Sequence, residues 1–149
     1  TVGLGTDGAS SNNKLDMFAE MRLAALIHKA NTYDPFAITA NEALEMGTVE
    51  GAKCLGYDNL GKLEKNCLAD IILVDRSGFH WHPKFDSISL AVYAGNSMDV
   101  DTVLINGKVV MRHKELTTID TEKLYAEVSR VTDKLYAFTK EPTHGQGGM

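Results

Sequence analysis

Long hydrophobic runs are missing from this sequence. The longest apolar stretches, such as Ile71-Ile72-Leu73-Val74, are far too short to cross a bilayer, so a membrane partner is not expected. Clusters of Lys and Arg are missing too. The formal net charge is -5 and the pI about 5.5. An acidic chain without a basic patch is a poor partner for nucleic acid or an anionic surface. Cysteine is scarce: Cys54 and Cys67 alone, with no CxxC spacing, read as thiols of a reduced, cytoplasmic protein rather than as a disulfide or zinc pair. No signal peptide is visible in the sequence, and its first residue is not Met. A chain that opens on Thr1-Val2-Gly3-Leu4 begins inside an element, so a fragment, a cleavage product or a partly described chain is expected. Internal repeats are absent. So are GxSxG, HExxH and the HxE…PCxxC pattern of zinc base deaminases.

What is present supports one compact domain's worth of core: 149 residues, 44% of them hydrophobic. Thr1 to Thr6 is short, apolar and punctuated by glycine, and predicts a buried strand that stops at Asp7-Gly8. A polar loop, Ala9 to Asn13, leads into a helix over Leu15 to Lys29, with Asn13 as its cap and Asp16 in its first turn. The helix carries a wide apolar arc, which predicts burial on more than one face. After the break at Asp34-Pro35, Thr39 opens a helix over Ala40 to Met46. Gly47 interrupts it, and Val49 to Leu55 resumes as a short helix ending near Gly56.

Leu60 to Leu63 predicts a turn or short edge strand, and Ala69 to Asp75 a strong strand. Ser77 to Ser89 reads as irregular, and Leu90 to Tyr93 as a short strand or turn. Asn106-Gly107 between Thr102–Ile105 and Lys108–Met111 is a hairpin with a two-residue turn. Asp120 caps a last helix, Thr121 to Thr139, with the apolar stripe Leu124, Val128, Val131 and Leu135. The tail from Glu141 to Met149 is expected to be mobile. The order of elements suits a piece of a β/α domain, residues 1–56, then part of a small β domain, 57–118, a C-terminal helix, 119–140, and the tail, 141–149.

Asp7 is the residue best placed for chemistry. It sits where an apolar strand is predicted to end, which in parallel β/α architectures is where ligands are held. A carboxylate there can bind a divalent metal or take a proton from an attacking water. On local pattern alone, Asp7-Gly8 reads first as a plain turn that also caps a helix, ahead of a site carboxylate. Gly3 to Gly8 has neither GxGxxG nor P-loop spacing. His80 and His82 would chelate together only on a strand, and their polar, Pro-containing surroundings predict loop histidines instead. His28 is expected near a helix C-terminus, favoured by the dipole. His113 and His144 carry no signal.

Taken together, Val2-Gly3-Leu4-Gly5-Thr6-Asp7-Gly8-Ala9-Ser10-Ser11-Asn12-Asn13, Leu15-Asp16-Met17-Phe18 and Glu20-Met21-Arg22 resemble the last barrel segment of the amidohydrolase superfamily. The branch they most resemble holds the methylthioadenosine/S-adenosylhomocysteine deaminases and the triazine and guanine aminohydrolases. Ala43 to Lys53, Leu60 to Glu64, Ala69 to Asp75 and Asp99 to Val110 match later blocks of the same family. The resemblance implies an α/β fold class: the last strand and helices of a (β/α)8 metal-dependent hydrolase barrel, plus part of its β-sandwich domain and a C-terminal helix. It implies Thr1 to Thr6 as the final barrel strand, and Asp7 as both metal ligand and proton shuttle. The reaction implied is hydrolysis of an exocyclic C–N bond on a small-molecule heteroaromatic substrate such as an aminopurine nucleoside, with ammonia released. The cofactor implied is a divalent metal, zinc foremost. A homo-oligomer is expected of the full-length protein. Ser10, Ser11 and Asn12 would line the mouth of the site.

The family's His-x-His, its later histidines and its catalytic Glu have no counterpart here. One strand cannot close a barrel and one carboxylate cannot hold a catalytic metal, so these residues alone are expected to be inactive. Two alternatives stand beside this reading. One is a cyclic-amide hydrolase of the hydantoinase or dihydroorotase kind. The other is a non-catalytic assembly module.

Overall fold

The computed structural model describes residues 1–140; the tail expected over 141–149, and His144 within it, lie outside the described residues. A helical layer comes first. Helix α1 spans Met17–Thr32, α2 Ala40–Gly47 and α3 Val49–Cys54. Strand β1 follows at Ile71–Val74, then a 3-10 turn at Phe79–Trp81, helix α4 at Ser87–Tyr93 and a second 3-10 turn at Ser97–Asp99. Strands β2 (Val100–Ile105), β3 (Lys108–Arg112) and β4 (Glu115–Leu116) lead to α5, Thr121–Lys140. The strands make one antiparallel four-stranded sheet in the order β1-β2-β3-β4.

Helix α1 starts at Asp16 rather than Asn13. Asp16 is extended, and its Oδ1 accepts the N–H of Phe18 at 3.0 Å and of Ala19 at 3.3 Å, filling two of the orphan donors at the helix start. The apolar arc is narrower than its composition predicts. Phe18, Met21 and Ala25 are buried, at one helical face, while Leu23, Leu26 and Ile27 are about half exposed. Helix α2 begins as expected at Thr39, with a reciprocal capping box: Thr39 Oγ1 accepts the Glu42 N–H and Glu42 Oε2 accepts the Thr39 N–H. The core joins α1, α2 and α4 through Phe18, Met21, Ala25, Ala43 and Val92, with Leu4, Ile38, Leu44, Val74 and Val100 packed at its edge.

Two expectations fail locally. Thr1 to Thr6 is not a strand: it is mostly exposed, and its Leu4 N–H bonds to the Met46 carbonyl at the end of α2. A strand needs a partner ladder, and among the described residues none lies beside it. Leu90 to Tyr93 is helical, because the Asp86 carboxylate accepts the Ser89 N–H and starts α4 three residues earlier. Leu60 to Leu63, read as a turn or short edge strand, is the former: a bend without strand pairing.

The hairpin is as predicted. Asn106 and Gly107 both have positive φ, 49° and 74°, as a type I′ turn requires. The turn is clasped from outside: Asn106 N–H donates to Asp70 Oδ1 at 2.6 Å and Gly107 N–H to the Ala69 carbonyl at 2.9 Å. A second two-residue turn at His113-Lys114, φ 50° and 66°, joins β3 to β4. Helix α5 begins at Asp120 as predicted, with the Lys123 N–H on its Oδ1. Leu124, Val128, Val131 and Leu135 of α5 are all exposed. Among the described residues no helix is long and apolar enough to cross a membrane.

Candidate active site

Asp7 lies at the end of the Thr1–Thr6 stretch and is exposed. Its backbone is left-handed, φ 58°, a conformation that costs most L-residues about 1–2 kcal/mol and that Asp tolerates better than most. The carboxylate helps to hold it there: Oδ1 accepts the Gly8 N–H at 2.7 Å. The Asp7 carbonyl accepts the Thr6 hydroxyl at 3.1 Å. The other carboxylate oxygen, Oδ2, is without a donor among the described residues. Beyond it, the Gly8 carbonyl accepts both the Ser11 and the Asn12 N–H at 3.0 Å, which turns the chain back toward α1. The local sequence reading of a turn is therefore correct, and the same turn presents a carboxylate oxygen outward.

That oxygen is a hard, anionic donor of the kind that ligates zinc in hydrolytic sites. It stands alone: among the described residues no group of three or more His, Cys, Asp or Glu side chains could hold a metal. Asp7 thus fits as one member of a donor set and not as the whole. Ser10 and Ser11 are exposed in the loop beside it, and Asn12 is half-buried.

The histidines form no second centre. His80 and His82 flank Trp81 in the 3-10 turn instead of sharing a strand face. His80 Nε2 meets Asp99 Oδ2 at 2.9 Å, and Trp81 Nε1 donates to the same oxygen at 3.1 Å. Trp81 is 2% exposed and carries the Arg76 guanidinium over its ring, 5.3 Å from the centroid. Sequence reading missed this cluster, since Asp99 lies 18 positions along the chain from Trp81; the lone tryptophan was its one signal. His82 Nδ1 lies 3.2 Å from the Gly78 carbonyl, and His113 Nδ1 3.3 Å from Asp101 Oδ1. His28 does not cap its helix; α1 runs on to Thr32, whose hydroxyl donates to the His28 carbonyl, and Tyr33 ends it. Cys54 is exposed and Cys67 half-buried, both free thiols.

Two carboxylates brace the elements behind Asp7. Burial pushes the Asp16 carboxyl up, but hydrogen bonds from the Ala19 N–H, the Ser97 hydroxyl and Lys14 outweigh it and hold it below the usual range. Asp99 behaves alike: burial raises it, and His80, the Asn96 N–H and Trp81 together bring it lower. An open hollow of about 700 Å³, lined by Gly3, Leu4, Met17, Gly51, Ala52 and Leu60 among others, does not include Asp7. Its walls are mostly apolar, with Thr48, Cys54 and Asp70 as their polar members, and no histidine is among them.

Comparison with known proteins bears out the resemblance. Residues 1–110 match the model of the amidohydrolase family. The chain is 52% identical over 129 residues to the 5-methylthioadenosine/S-adenosylhomocysteine deaminase of Pelotomaculum thermopropionicum, covering 87% of this chain and 30% of that protein. It is 50% identical over 135 residues to the enzyme of the same name from Acetivibrio thermocellus, covering 90% and 31%. Among solved structures it resembles an adenosine deaminase from Xanthomonas campestris with bound zinc, at 36% identity and a TM-score of 0.86, over 91% of this chain and 31% of that one. It also resembles the atrazine chlorohydrolase of Arthrobacter aurescens complexed with zinc, at 32% identity and a TM-score of 0.80, over 88% and 29%. The chain therefore spans about a third of the length of these relatives. A family match over more than two-thirds of the chain, around a turn that holds Asp7 outward, leads to one conclusion: this chain belongs to the amidohydrolase family.

Proposed function

We propose that this chain contributes one carboxylate, Asp7, to the metal site of a hydrolase that removes an exocyclic amino group from an aminopurine nucleoside-like substrate. In this reading residues 1–56 end a (β/α)8 barrel, 57–118 belong to its β domain and 119–140 form the C-terminal helix. The observation that carries it is the left-handed turn at Asp7, which ties one carboxylate oxygen to its own loop and leaves the other outward. Relatives named as deaminases and a structural neighbour named as a zinc-bound adenosine deaminase support the choice of reaction and metal.

Asp7 would bind the metal through Oδ2, with zinc as the leading candidate and the remaining ligands outside these residues. A bound metal would lower the pKa of the attacking water toward neutrality. Asp7 would accept the water's proton as oxygen adds to the ring carbon, and deliver it to the departing nitrogen, so that water and amine become a ring carbonyl and ammonia. Its own loop supplies the rigidity this role needs, because the Gly8 N–H fixes Oδ1 and thereby the plane of the carboxylate. Ser10 and Ser11 stand at the mouth, where their hydroxyls can reach a polar substrate edge.

The test is ammonia release from aminopurine nucleosides with zinc present. The complete chain carrying these residues is expected to turn over, and the isolated 149-residue chain is not. Turnover by the isolated chain would show that the ligands need not come from elsewhere and would sink the reading.

A further inference from the structure

A continuous line of hydrogen bonds runs from Asp7 to helix α1. Asp7 Oδ1 holds the Gly8 N–H, and the Gly8 carbonyl holds the N–H groups of Ser11 and Asn12. Asn12 then uses its whole side chain. Its Oδ1 accepts the Lys14 N–H at 3.1 Å, and its Nδ2 donates to Glu20 Oε1 at 2.8 Å. Asn12 and Glu20 are both half-buried. Glu20 sits in the first turn of α1, with its own N–H on the Asp16 carbonyl at 3.1 Å. The helix itself is anchored at its far side, where Asp16 Oδ2 accepts the Ser97 hydroxyl at 3.1 Å and the Arg22 guanidinium donates to the Gly95 carbonyl.

The left-handed backbone at Asp7 persists only where its surroundings over-determine it. Gly8 to Asn13 is short, polar and largely exposed, so its own packing supplies little constraint. The Asn12–Glu20 bond supplies it from the helix. We propose that Glu20 is a positioning residue: by accepting from Asn12 it fixes the loop that sets the direction of the Asp7 carboxylate. This rests on the reading of Asp7 as the site carboxylate. Glu20 touches neither metal nor substrate in this scheme, and its charge is not what matters. An acceptor at Oε1 is. A helix-dipole role, the ordinary use of an acid in a first turn, would depend on charge instead, and this separates the two.

The experiment is a variant series in the complete, zinc-loaded chain: Glu20→Leu, Glu20→Gln, Asn12→Ala, the double variant Asn12→Ala with Glu20→Leu, and Asp7→Asn. Misplacing a reacting group by about 1 Å can cost on the order of 100-fold. Glu20→Leu is expected to lower kcat roughly 10- to 100-fold with KM within about twofold. Glu20→Gln, which keeps an Oε1 acceptor, restores most of the loss. Asn12→Ala matches Glu20→Leu, and the double variant is no worse than either single one, as coupled partners require.

Hydrogen exchange at the Ser11 and Asn12 amides gives a readout apart from turnover: faster in Glu20→Leu, restored in Glu20→Gln. The proposal is overturned if Glu20→Leu keeps its kcat, if Glu20→Gln is as impaired as Glu20→Leu, or if loop exchange does not change. If Asp7→Asn keeps full turnover, the proposed function fails instead, and the exchange data still report whether Glu20 holds the loop.

Discussion

The hydroxyl of Ser97 donates to Oδ2 of Asp16 at 3.1 Å, across 81 positions of sequence. The other oxygen of Asp16 caps α1. One buried carboxylate thus starts the helix behind the candidate site and fastens that helix to the turn that leads into β2. Asp16→Ala removes the cap and leaves the Phe18 and Ala19 N–H groups and the Ser97 hydroxyl unpaired. A loss of about 2 kcal/mol is expected. Ser97→Ala removes one bond and should cost about 1 kcal/mol. Chemical denaturation of the complete chain measures both, and equal losses would show that the cap contributes nothing.

The same carboxylates set the response to acid. Asp16 and Asp99 are both held below the ordinary aspartate value of about 3.9 in the folded state. A folded pKa lower than the unfolded one means that the unfolded chain binds more protons as pH falls. Their contribution is therefore complete well above pH ~4 and is lost as pH drops through the depressed folded values. Melting temperature should fall steeply below about pH 4, and Asp16→Asn should flatten that fall while lowering the plateau above it. A variant that melts lower but keeps the wild-type slope would separate Asp16 from the acid response.

Asp7→Asn divides fold from chemistry. Asparagine also tolerates a left-handed backbone, and its Oδ1 can still accept the Gly8 N–H. Thermal stability is expected to stay within about 1 kcal/mol of the parent. Turnover in the complete enzyme is expected to fall at least about 100-fold, the scale of a lost proton-transfer group. Full activity in this variant removes Asp7 from the reaction.

Trp81 and His80 share an acceptor and differ in cost. Trp81 is almost wholly buried and His80 side chain is 40% exposed. Trp81→Ala should cost about 3–5 kcal/mol by cavity formation. His80→Ala should cost less than about 1 kcal/mol, since an exposed pair is screened. Urea titration of the two variants checks the ratio, and comparable losses would mean that the Asp99 contact outweighs packing.

Two glycines with nearly the same φ make a matched pair. Gly56 has φ 82° with open space around a built Cβ, whereas at Gly61, φ 85°, a Cβ would come within 2.7 Å of the Thr48 and Val49 backbone. Alanine at Gly56 should cost only the left-handed penalty, about 1 kcal/mol. Alanine at Gly61 adds a backbone clash and should cost at least twice as much. Equal melting temperatures for the two variants would contradict the close approach.

Much of this was legible in the residues. Asn106-Gly107 announced its turn because it pairs two residue types that accept positive φ. Thr39 announced the start of α2, and the structure adds the reciprocal box with Glu42. The turn at His113-Lys114 was hidden, because neither residue prefers that conformation and the demand comes from the strands on either side. The start of α1 was misplaced by three residues because Asn13 and Asp16 are both good caps, and the choice was made by Ser97, far along the chain. Helix α4 was missed since Ile88 and Val92 favour strands by propensity, while burial of Val92 against α1 and α2 favours the helix. At the site, Asp7 could be picked from its neighbours, but its link to Glu20 through Asn12 could not, because an i to i+8 contact depends on how the loop turns.

The order of strands in the sheet has a consequence for how the chain assembles. Strands β2, β3 and β4 are sequential neighbours joined by two-residue turns, and hairpins of that kind close in about 1–10 μs. Strand β1 is made earlier than any of them, yet its partner is β2, beyond α4 and both 3-10 turns. Closing that longer loop costs more entropy. Strand β1 is thus made before β2, β3 and β4, and a nascent chain stalled before Val100 would hold β1 without β2, its partner in this sheet.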